Sequence, residues 1–322
     1  MTESKFSQLE KAIIKTVCYY DVFDFPLTSE EIWRWLYVEG ISGLKRDLNA
    51  VIEALEMSRF LKEVLGYDEG YYFLKGRREI VETRRERREI SKKKMEIAKY
   101  VASYLRMSPF LKYVAVCNNL AFGNARKESD IDLLIVIEPG FLWESRFFVT
   151  MLVHLLGRRR YKNKIKDRIC LSFFVTTDAL DFQPLLLPGE DPYFNFWISQ
   201  LRPLYDPDDY HQKIQEANAW VLEKMPNAFK KEQGPLLKNN FFTSLVQKMF
   251  SLIFLNSLFG RNLSQGLRAG QLKKMEGNKE SSLHENNTKV IVNDQVLKFH
   301  EKDRREEYRE RFYQKLRKLN LI

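Results

Sequence analysis

Two aspartates separated by one residue are the part of this sequence best suited to chemistry. Asp130 and Asp132 stand at the start of the apolar run at residues 133–137. Such a run, rich in β-branched residues, is typical of a strand covered on both faces. Side chains alternate along a strand, so both carboxylates project to one face, about 7 Å apart. Because Mg²⁺ typically takes one or two carboxylates plus substrate phosphates, the pair predicts a cation site.

The elements around this pair predict an α/β (α+β) core with a mixed sheet. Strands are expected at residues 113–117, 130–137 and 168–175, with a short late strand at residues 203–206. A helix is expected from about Leu142 to Leu156 after the turn at Pro139 and Gly140, and another at residues 191–201. The alternation of strands and helices predicts that helices cover the sheet.

Residues 120–136, LAFGNARKESDIDLLIV, resemble the signature of the polymerase-beta-like nucleotidyltransferase superfamily, especially its small stand-alone members. The family pattern is a hydrophobic residue, Gly, Gly or Ser, a spacer, and then Asp-hydrophobic-Asp/Glu-hydrophobic. The second half matches closely. In the first half, Asn118 and Asn119 stand where the family has Gly-Ser. An Asn119 amide can still donate to a phosphate, but Asn118 lacks the steric freedom of glycine.

The resemblance implies a Mg²⁺-dependent nucleotidyltransferase that moves an NMP from an NTP to an acceptor. Asp130 and Asp132 would be catalytic and would hold the metal ion. The superfamily uses protein, RNA, antibiotic and small-metabolite acceptors, and the sequence does not choose among them. The residues expected to bind the nucleotide are Asn118, Asn119, Gly123, Arg126 and Ser129.

A third carboxylate, which the family usually carries on the strand after the helix, has no obvious counterpart here. The matching inward position is Cys170 or Ser172. Asp167 and Asp178 flank the strand and would substitute only if the register is shifted; turn and capping chemistry is their simpler role. The absence favours a second hypothesis: a degenerate transferase module that senses nucleotide or acts as a scaffold, coupled to DNA through the amino-terminal block.

That amino-terminal block, residues 1–76, resembles a winged helix in its pattern. Helical periodicity begins near Leu9 and ends before Pro26, a capping box starts a second helix at Thr28, and residues 44–57 predict a third. Residues 60–75 predict a hairpin. The third helix would enter a DNA major groove, or the block would be a protein-contact unit; acidic residues beside the bases on that helix leave both open.

The rest of the chain divides into a connector, the core and a carboxy-terminal region. Residues 77–108 predict one long helix, whose first eighteen residues carry nine basic and four acidic side chains. It is either a solvated connector or a nucleic-acid contact. The core spans residues 109–206. Residues 207–322 are expected to be mainly helical. The prediction comprises a helix through Ile214, Ala217, Val221 and Met225, a polar linker at residues 267–287, a hairpin at residues 288–299 and a last helix at residues 301–319.

Composition limits the partners and the compartment. The net charge of +10 favours a polyanionic partner, an NTP or a nucleic acid bound through the basic amino-terminal half. Three cysteines without metal or disulfide spacing, and no signal-peptide pattern, predict a cytoplasmic protein. The four histidines lack zinc spacing and receive no role. Residues 241–259 match a bilayer span in length, but the mid-segment Lys248 favours a core or partner-facing helix over stable membrane insertion.

Overall fold

The computed structural model describes residues 6–38, 47–161, 163–229, 235–255, 258–277, 288–300 and 303–322. Its helices are α1 (Gln8–Asp21), α2 (Ser29–Arg34), α3 (Leu48–Met57), α4 (Arg59–Val64), α5 (Glu79–Leu105), α6 (Asn118–Ala121), α7 (Leu142–Leu155), α8 (Pro192–Ser199), α9 (Tyr210–Ala217), α10 (Val221–Lys224), α11 (Phe241–Leu255), α12 (Leu258–Glu276) and α13 (Arg305–Lys318). Its strands are β1 (Leu65–Asp68), β2 (Tyr71–Leu74), β3 (Leu111–Val116), β4 (Ile131–Ile137), β5 (Ile169–Thr176), β6 (Arg202–Tyr205), β7 (Val290–Val292) and β8 (Val296–Phe299).

A six-stranded sheet in the order β6-β3-β4-β5-β8-β7 organises the described chain. β4 and β5 are parallel, as the helical crossover through α7 requires, and the other pairs are antiparallel. The predicted mixed α/β class is therefore confirmed, as are the core strands to within two residues. The predicted hairpin near residue 290 is present too. This hairpin pairs with β5 through β8 and forms one edge of the main sheet, which the sequence did not predict.

The sheet buries apolar side chains on both faces, and the two sets alternate along each strand. On one face, Ala115, Leu134 and Phe173 belong to a core shared with α1, α8 and α13. On the other, Leu133 and Ile135 join the core formed with α5 and α7. Burial on both sides explains why residues 133–137 are continuously apolar. Asp132 follows the parity of Leu134, so it lies on the α8 and α13 face.

The amino-terminal block contains the predicted helices followed by a hairpin, with two differences. The predicted capping box at Thr28 with Glu31 is present, and a second one, at Ser7 with Glu10, was not predicted. α3 begins at Leu48 behind the N-cap Asp47, and residues 44–46 of the predicted helix lie outside the described residues. The prediction of a strand from Phe60 is wrong: residues 59–64 form α4, capped by Ser58, and pairing begins only at Leu65. The Ser58 hydroxyl satisfies the backbone N–H of Leu61, so local capping favours a helix there.

Two predictions for the carboxy-terminal region are corrected. The single helix expected through Val221 and Met225 is divided, because α9 ends at Ala217 and α10 begins only at Val221. The buried Asn218 side chain between them bonds the backbone at Leu180 and Phe182, which ties this break to the preceding loop. The expected polar linker is partly wrong: residues 267–276 complete α12, and residues 278–287 lie outside the described residues. α13 begins at Arg305; residues 301–302 of the helix predicted there are likewise not described.

α11 coincides with the apolar segment considered as a bilayer span. Several of its apolar side chains are exposed, among them Phe241, Phe242, Met249 and Leu252, while Phe254 is buried. Among the described residues no single helix is both long and apolar enough to cross a membrane. α11 and residues 260–276 meet that criterion only as a pair, and the pair is bent by 94°.

Candidate functional site

The candidate site lies at one end of the sheet, where three neighbouring strands bring their polar ends together. β3 runs antiparallel to β4, so the residues after its carboxyl end meet the start of β4. β5 runs parallel to β4, and Cys170 at its start pairs in register with Asp132. Asn118, Asp132 and Cys170, far apart in sequence, therefore meet at this end. Asp130 directly precedes β4 and joins them.

Asp130, Asp132 and Cys170 form a cluster whose potential ligand atoms all lie within 4.8 Å of one another. This spacing brings both carboxylates within reach of one cation. Burial raises the pKa of the Cys170 thiol to about 12, and Asp132 adds to the rise. A thiol that keeps its proton is a poor ligand for a hard cation, which prefers oxygen. The cluster therefore offers two effective ligands for Mg²⁺.

The charge on Asp132 is unfavourable in the structure as it stands. Burial and the neighbouring Asp130 carboxylate raise the pKa of Asp132 to about 6, against opposing contributions from Asn118, Cys170 and Arg160. Asp130 is better compensated, because its Oδ2 accepts from Arg160 Nη1 at 2.6 Å. A divalent cation would neutralise both carboxylates, and the chemistry of this donor set fits Mg²⁺. The cation would compete with Arg160 for Asp130.

Asn118 opens the short helix α6 with a φ of 56°, a left-handed conformation that asparagine adopts more readily than most residues. The backbone freedom expected of the family's glycine is thus matched locally by asparagine. Its Oδ1 accepts from Trp197 Nε1 at 2.9 Å and from the Tyr193 hydroxyl at 3.1 Å. Both donors come from α8, so this helix fixes the Asn118 side-chain amide beside Asp132.

A cavity of about 940 Å³ opens over the Asp130–Asp132 pair, and we call it the aspartate cavity. Tyr193 and Trp197 of α8 form part of its wall, and Tyr308 of α13 stacks on Tyr193 with ring centroids 5.5 Å apart. The end of β8 supplies Lys298 and His300. The volume lies in the range of small-molecule and cofactor sites.

Cations outnumber carboxylates among the described residues that line the aspartate cavity. The carboxylates are Asp130, Asp132 and Asp303. The cations are Arg146, Arg159, Arg160, Lys298, Arg304 and Arg305. A cavity with two metal-directed carboxylates and this excess of cations is electrostatically suited to a metal-bound polyanion.

Arg305 has a structural role in this wall. Its guanidinium donates to Asp191 Oδ2 at 2.8 Å, to both oxygens of Asp303 and to the backbone of Leu185. Lys298 Nζ lies 3.7 Å from Asp303 and completes a buried network of two cations and two carboxylates. With its donors already engaged, Arg305 is not available to a ligand in this arrangement, whereas Arg160 already contacts Asp130.

The other residues expected to bind nucleotide are not among the described residues that line the cavity. Gly123 has a φ of 81°, which glycine tolerates, and closes the turn after α6. Asn119 accepts from the Asn124 backbone through its carbonyl oxygen. The Ser129 hydroxyl donates to the Arg126 carbonyl at 2.9 Å, and the Arg126 side chain is exposed. Of that predicted set, the structure brings only Asn118 to the Asp pair.

Neither alternative third carboxylate reaches the Asp pair. Asp167 accepts from the buried Lys94 Nζ at 2.6 Å, and Lys94 also donates to the Ser129 carbonyl, so this ion pair braces the loop before Asp130. Asp178 follows the opposite end of β5 and bonds Thr176 and Gln295. Both serve turn and loop structure, and Cys170 occupies the position at the site, as the sequence register indicated.

Three residues at the site carry no role in the sequence-based prediction. Arg160 comes from the loop after α7, and the sequence signal for it is the run of six basic residues at positions 158–166. Lys298 and His300 come from β8 and required the pairing of β8 with β5. His300 Nε2 lies 3.2 Å from Ser172 Oγ, and burial lowers its pKa to about 3, so its ring is neutral at pH 7.

Comparisons with protein-family models, with curated proteins and with solved structures found no match.

Proposed function

We propose that this protein binds a Mg²⁺–nucleoside triphosphate in the aspartate cavity and transfers its NMP to an acceptor with release of pyrophosphate, as the resemblance to polymerase-beta-like nucleotidyltransferases implies. The observation that carries the proposal is the convergence of Asp130 and Asp132 on a cavity whose other charged lining residues, among those described, are mainly cations. The carboxylates would hold the metal ion, which neutralises phosphate charge during transfer.

The chain's own residues supply the remaining contacts. Arg160 bonds Asp130 in the absence of ligand, and it would turn to a phosphate once the metal ion neutralises that carboxylate. Arg159 lines the same wall. Tyr193 and Tyr308, stacked on each other, form an aromatic part of the wall beside which a base would lie. Asn118, held by Trp197 and Tyr193, keeps the Asp132 carboxylate in position.

Cys170 favours the second candidate, a degenerate module that binds nucleotide without turnover and acts as a sensor or scaffold. It lies where a third carboxylate would serve as general base, and a thiol with a pKa of about 12 does not accept a proton at neutral pH. Loss of a general base lowers a rate by roughly 10²–10⁴-fold. Both candidates require Mg²⁺-dependent nucleotide binding, so binding is tested first. Contact of the amino-terminal block with DNA remains part of this second proposal.

Calorimetric titration of the four NTPs, with and without Mg²⁺, tests the shared step. Wild type should bind at least one NTP only when Mg²⁺ is present, and Asp130→Asn and Asp132→Asn should each abolish that binding. Asp178→Asn is the matched control, because that carboxylate lies beyond the opposite end of β5. If wild type binds no NTP, or if Asp178→Asn is as damaging as the other two, the proposal fails.

Restoring a carboxylate separates the two candidates. Cys170→Asp would place a third acidic group in register with Asp132. If the fold retains a competent geometry, transfer of labelled NMP to an added or endogenous acceptor should rise by about 10²-fold or more over wild type. Cys170→Asn is the uncharged control. Measurable transfer by wild type itself would exclude the degenerate module.

A further inference from the structure

A second cavity of about 720 Å³ adjoins the aspartate cavity, and we call it the side cavity. It lies between α7, α12 and the β7–β8 hairpin. Arg146, Thr150, Arg159 and Phe299 line both cavities, so the two meet at these residues. Any molecule in the side cavity would therefore have one end close to the contents of the aspartate cavity.

The side cavity is apolar over most of its wall and basic at one end. Its apolar lining residues are Phe147, Met151, Met275, Val290, Val292 and Phe299. Arg146 and Arg159 lie at the junction with the aspartate cavity, and Lys274 and His154 are also in the wall. No Asp or Glu is among the described residues that line it. Such a combination is complementary to a ligand with an apolar body and a negative head group.

Arg146 is the strongest sign that the head group is an anion. Its Nη1 donates to Gln271 Oε1 at 2.5 Å, but its Nε is buried without a hydrogen-bond partner. Burial and the nearby Arg159 guanidinium lower its pKa to about 10, and no carboxylate among the described residues opposes that change. A largely buried cation beside a second cation carries an unfavourable free energy that a bound anion would relieve.

The flexible thioethers of Met151 and Met275 suit a variable apolar body, because methionine adapts to irregular shapes. The Arg146 guanidinium carbon lies 5.3 Å from the centroid of the Phe299 ring, so the charged end and the apolar wall are continuous. The volume is sufficient for a small organic molecule.

We propose that the side cavity binds an amphipathic anion, with its carboxylate or phosphate head group between Arg146 and Arg159 and its apolar body between α7, α12 and β7–β8. This binding is independent of the function proposed above. A further role as the acceptor site, for which its contact with the aspartate cavity is suitable, rests on that proposed function.

Four probes with the same alkyl chain test the binding: decanoate, decyl phosphate, decanol and decyltrimethylammonium, titrated by calorimetry below their micelle concentrations and without nucleotide or Mg²⁺. At least one anion should bind about 10-fold or more tightly than the neutral and cationic probes, because a hydrogen bond to a charged group contributes this much. The tighter of the two anions identifies the head group. Equal binding of all four probes would overturn the proposal.

Variants locate the site. Arg146→Gln should weaken anion binding by roughly 10- to 100-fold with little effect on decanol, and Arg146→Lys should recover part of the loss. Gly270→Leu adds a side chain to the cavity lining and should weaken anion binding; Gly266→Leu, one turn earlier on α12, is its control. An added Cβ meets no atom within 4 Å at either glycine, and Gly266 is not among the lining residues. Thermal melting confirms that each variant is folded.

Two results would contradict the proposal at this stage. One is an equal effect of Gly266→Leu and Gly270→Leu, which would show that binding is not in the side cavity. The other is weaker Mg²⁺–NTP binding in Arg146→Gln with unchanged anion binding, which would assign Arg146 to the nucleotide. Because the anion titrations contain no nucleotide, failure of the nucleotide proposal leaves their outcome intact.

Discussion

Replacement of Arg305 by methionine should destabilise the protein far more than the same change at the adjacent arginine. The Arg305 side chain is only 4% exposed and pairs with Asp191 and Asp303, which are 1% and 7% exposed. Methionine retains much of the apolar stem but removes the charge. Asp191 therefore loses its ion pair with Arg305, and Asp303 keeps Lys298 of its two partners among the described residues. Breaking a buried ion pair in this way costs about 3–5 kcal/mol of the free energy of unfolding.

Arg304→Met is the control, because Arg304 pairs with the exposed Glu307 and lies in solvent-accessible surroundings. An exposed pair contributes about 0–1 kcal/mol. Both variants are measured by urea unfolding at pH 7, with the midpoint and the denaturant slope fitted separately. Equal losses in the two variants would refute the assignment of Arg305 to a buried ionic network.

A double-mutant cycle makes the test specific to the pair. Asp191 also caps α8, accepting from the Phe194 N–H at 3.0 Å, and asparagine is a comparable capping residue. Asp191→Asn therefore removes the charge and keeps the cap. The double variant Asp191→Asn/Arg305→Met should lose at least about 1 kcal/mol less than the sum of the single losses. Strict additivity would show that the two groups do not interact as the geometry requires.

Two further predictions concern acid stability and the loop before the site. Burial lowers the pKa of His300 to about 3, so below pH 6.5 the unfolded chain binds a proton that the folded protein does not, and the free energy of unfolding should fall by about 1.4 kcal/mol for each pH unit from 6.5 towards 3. His300→Gln should remove this contribution. Urea unfolding curves at pH 7 and pH 5 check it: if the loss of stability between the two pH values is the same in His300→Gln as in wild type, the reasoning is wrong. Lys94→Met leaves Asp167 and the Ser129 carbonyl without their buried donor, so it should cost about 2–3 kcal/mol and weaken Mg²⁺–NTP binding, whereas Lys92→Met at an exposed pair should do neither.

Local patterns in the sequence predicted most of the core elements because the residues that form these patterns also make the interactions that stabilise the elements. The capping residues Ser7 and Thr28 make the hydrogen bonds that start their helices. The apolar run after Asp132 is a buried strand because both sheet faces are covered. The errors came from local competition that pattern reading missed, as at Ser58, where a side-chain cap made a helix of a segment with strand-like composition.

The residues around the Asp pair could be predicted only where they are near it in sequence. Asn118 lies two residues after the end of β3, and its contact with the pair follows from the antiparallel pairing of β3 with β4. His300 and Lys298 are brought in by a hairpin at the far end of the chain, which pairs with β5. No local propensity specifies that pairing, since a four-residue strand gains its stability from the sheet it joins.

The sequence by itself determined that Asp130 and Asp132 lie together at the start of a buried strand, and that the group opposite on the next strand is Cys170 or Ser172. These are consequences of side-chain alternation and of covalent order. Tertiary structure alone decided what surrounds them: the Arg160 guanidinium on Asp130, the aromatic wall from α8 and α13, and the basic junction at Arg146. Those contacts depend on which faces of distant elements pack together, because burial and charge compensation act through space and not along the chain.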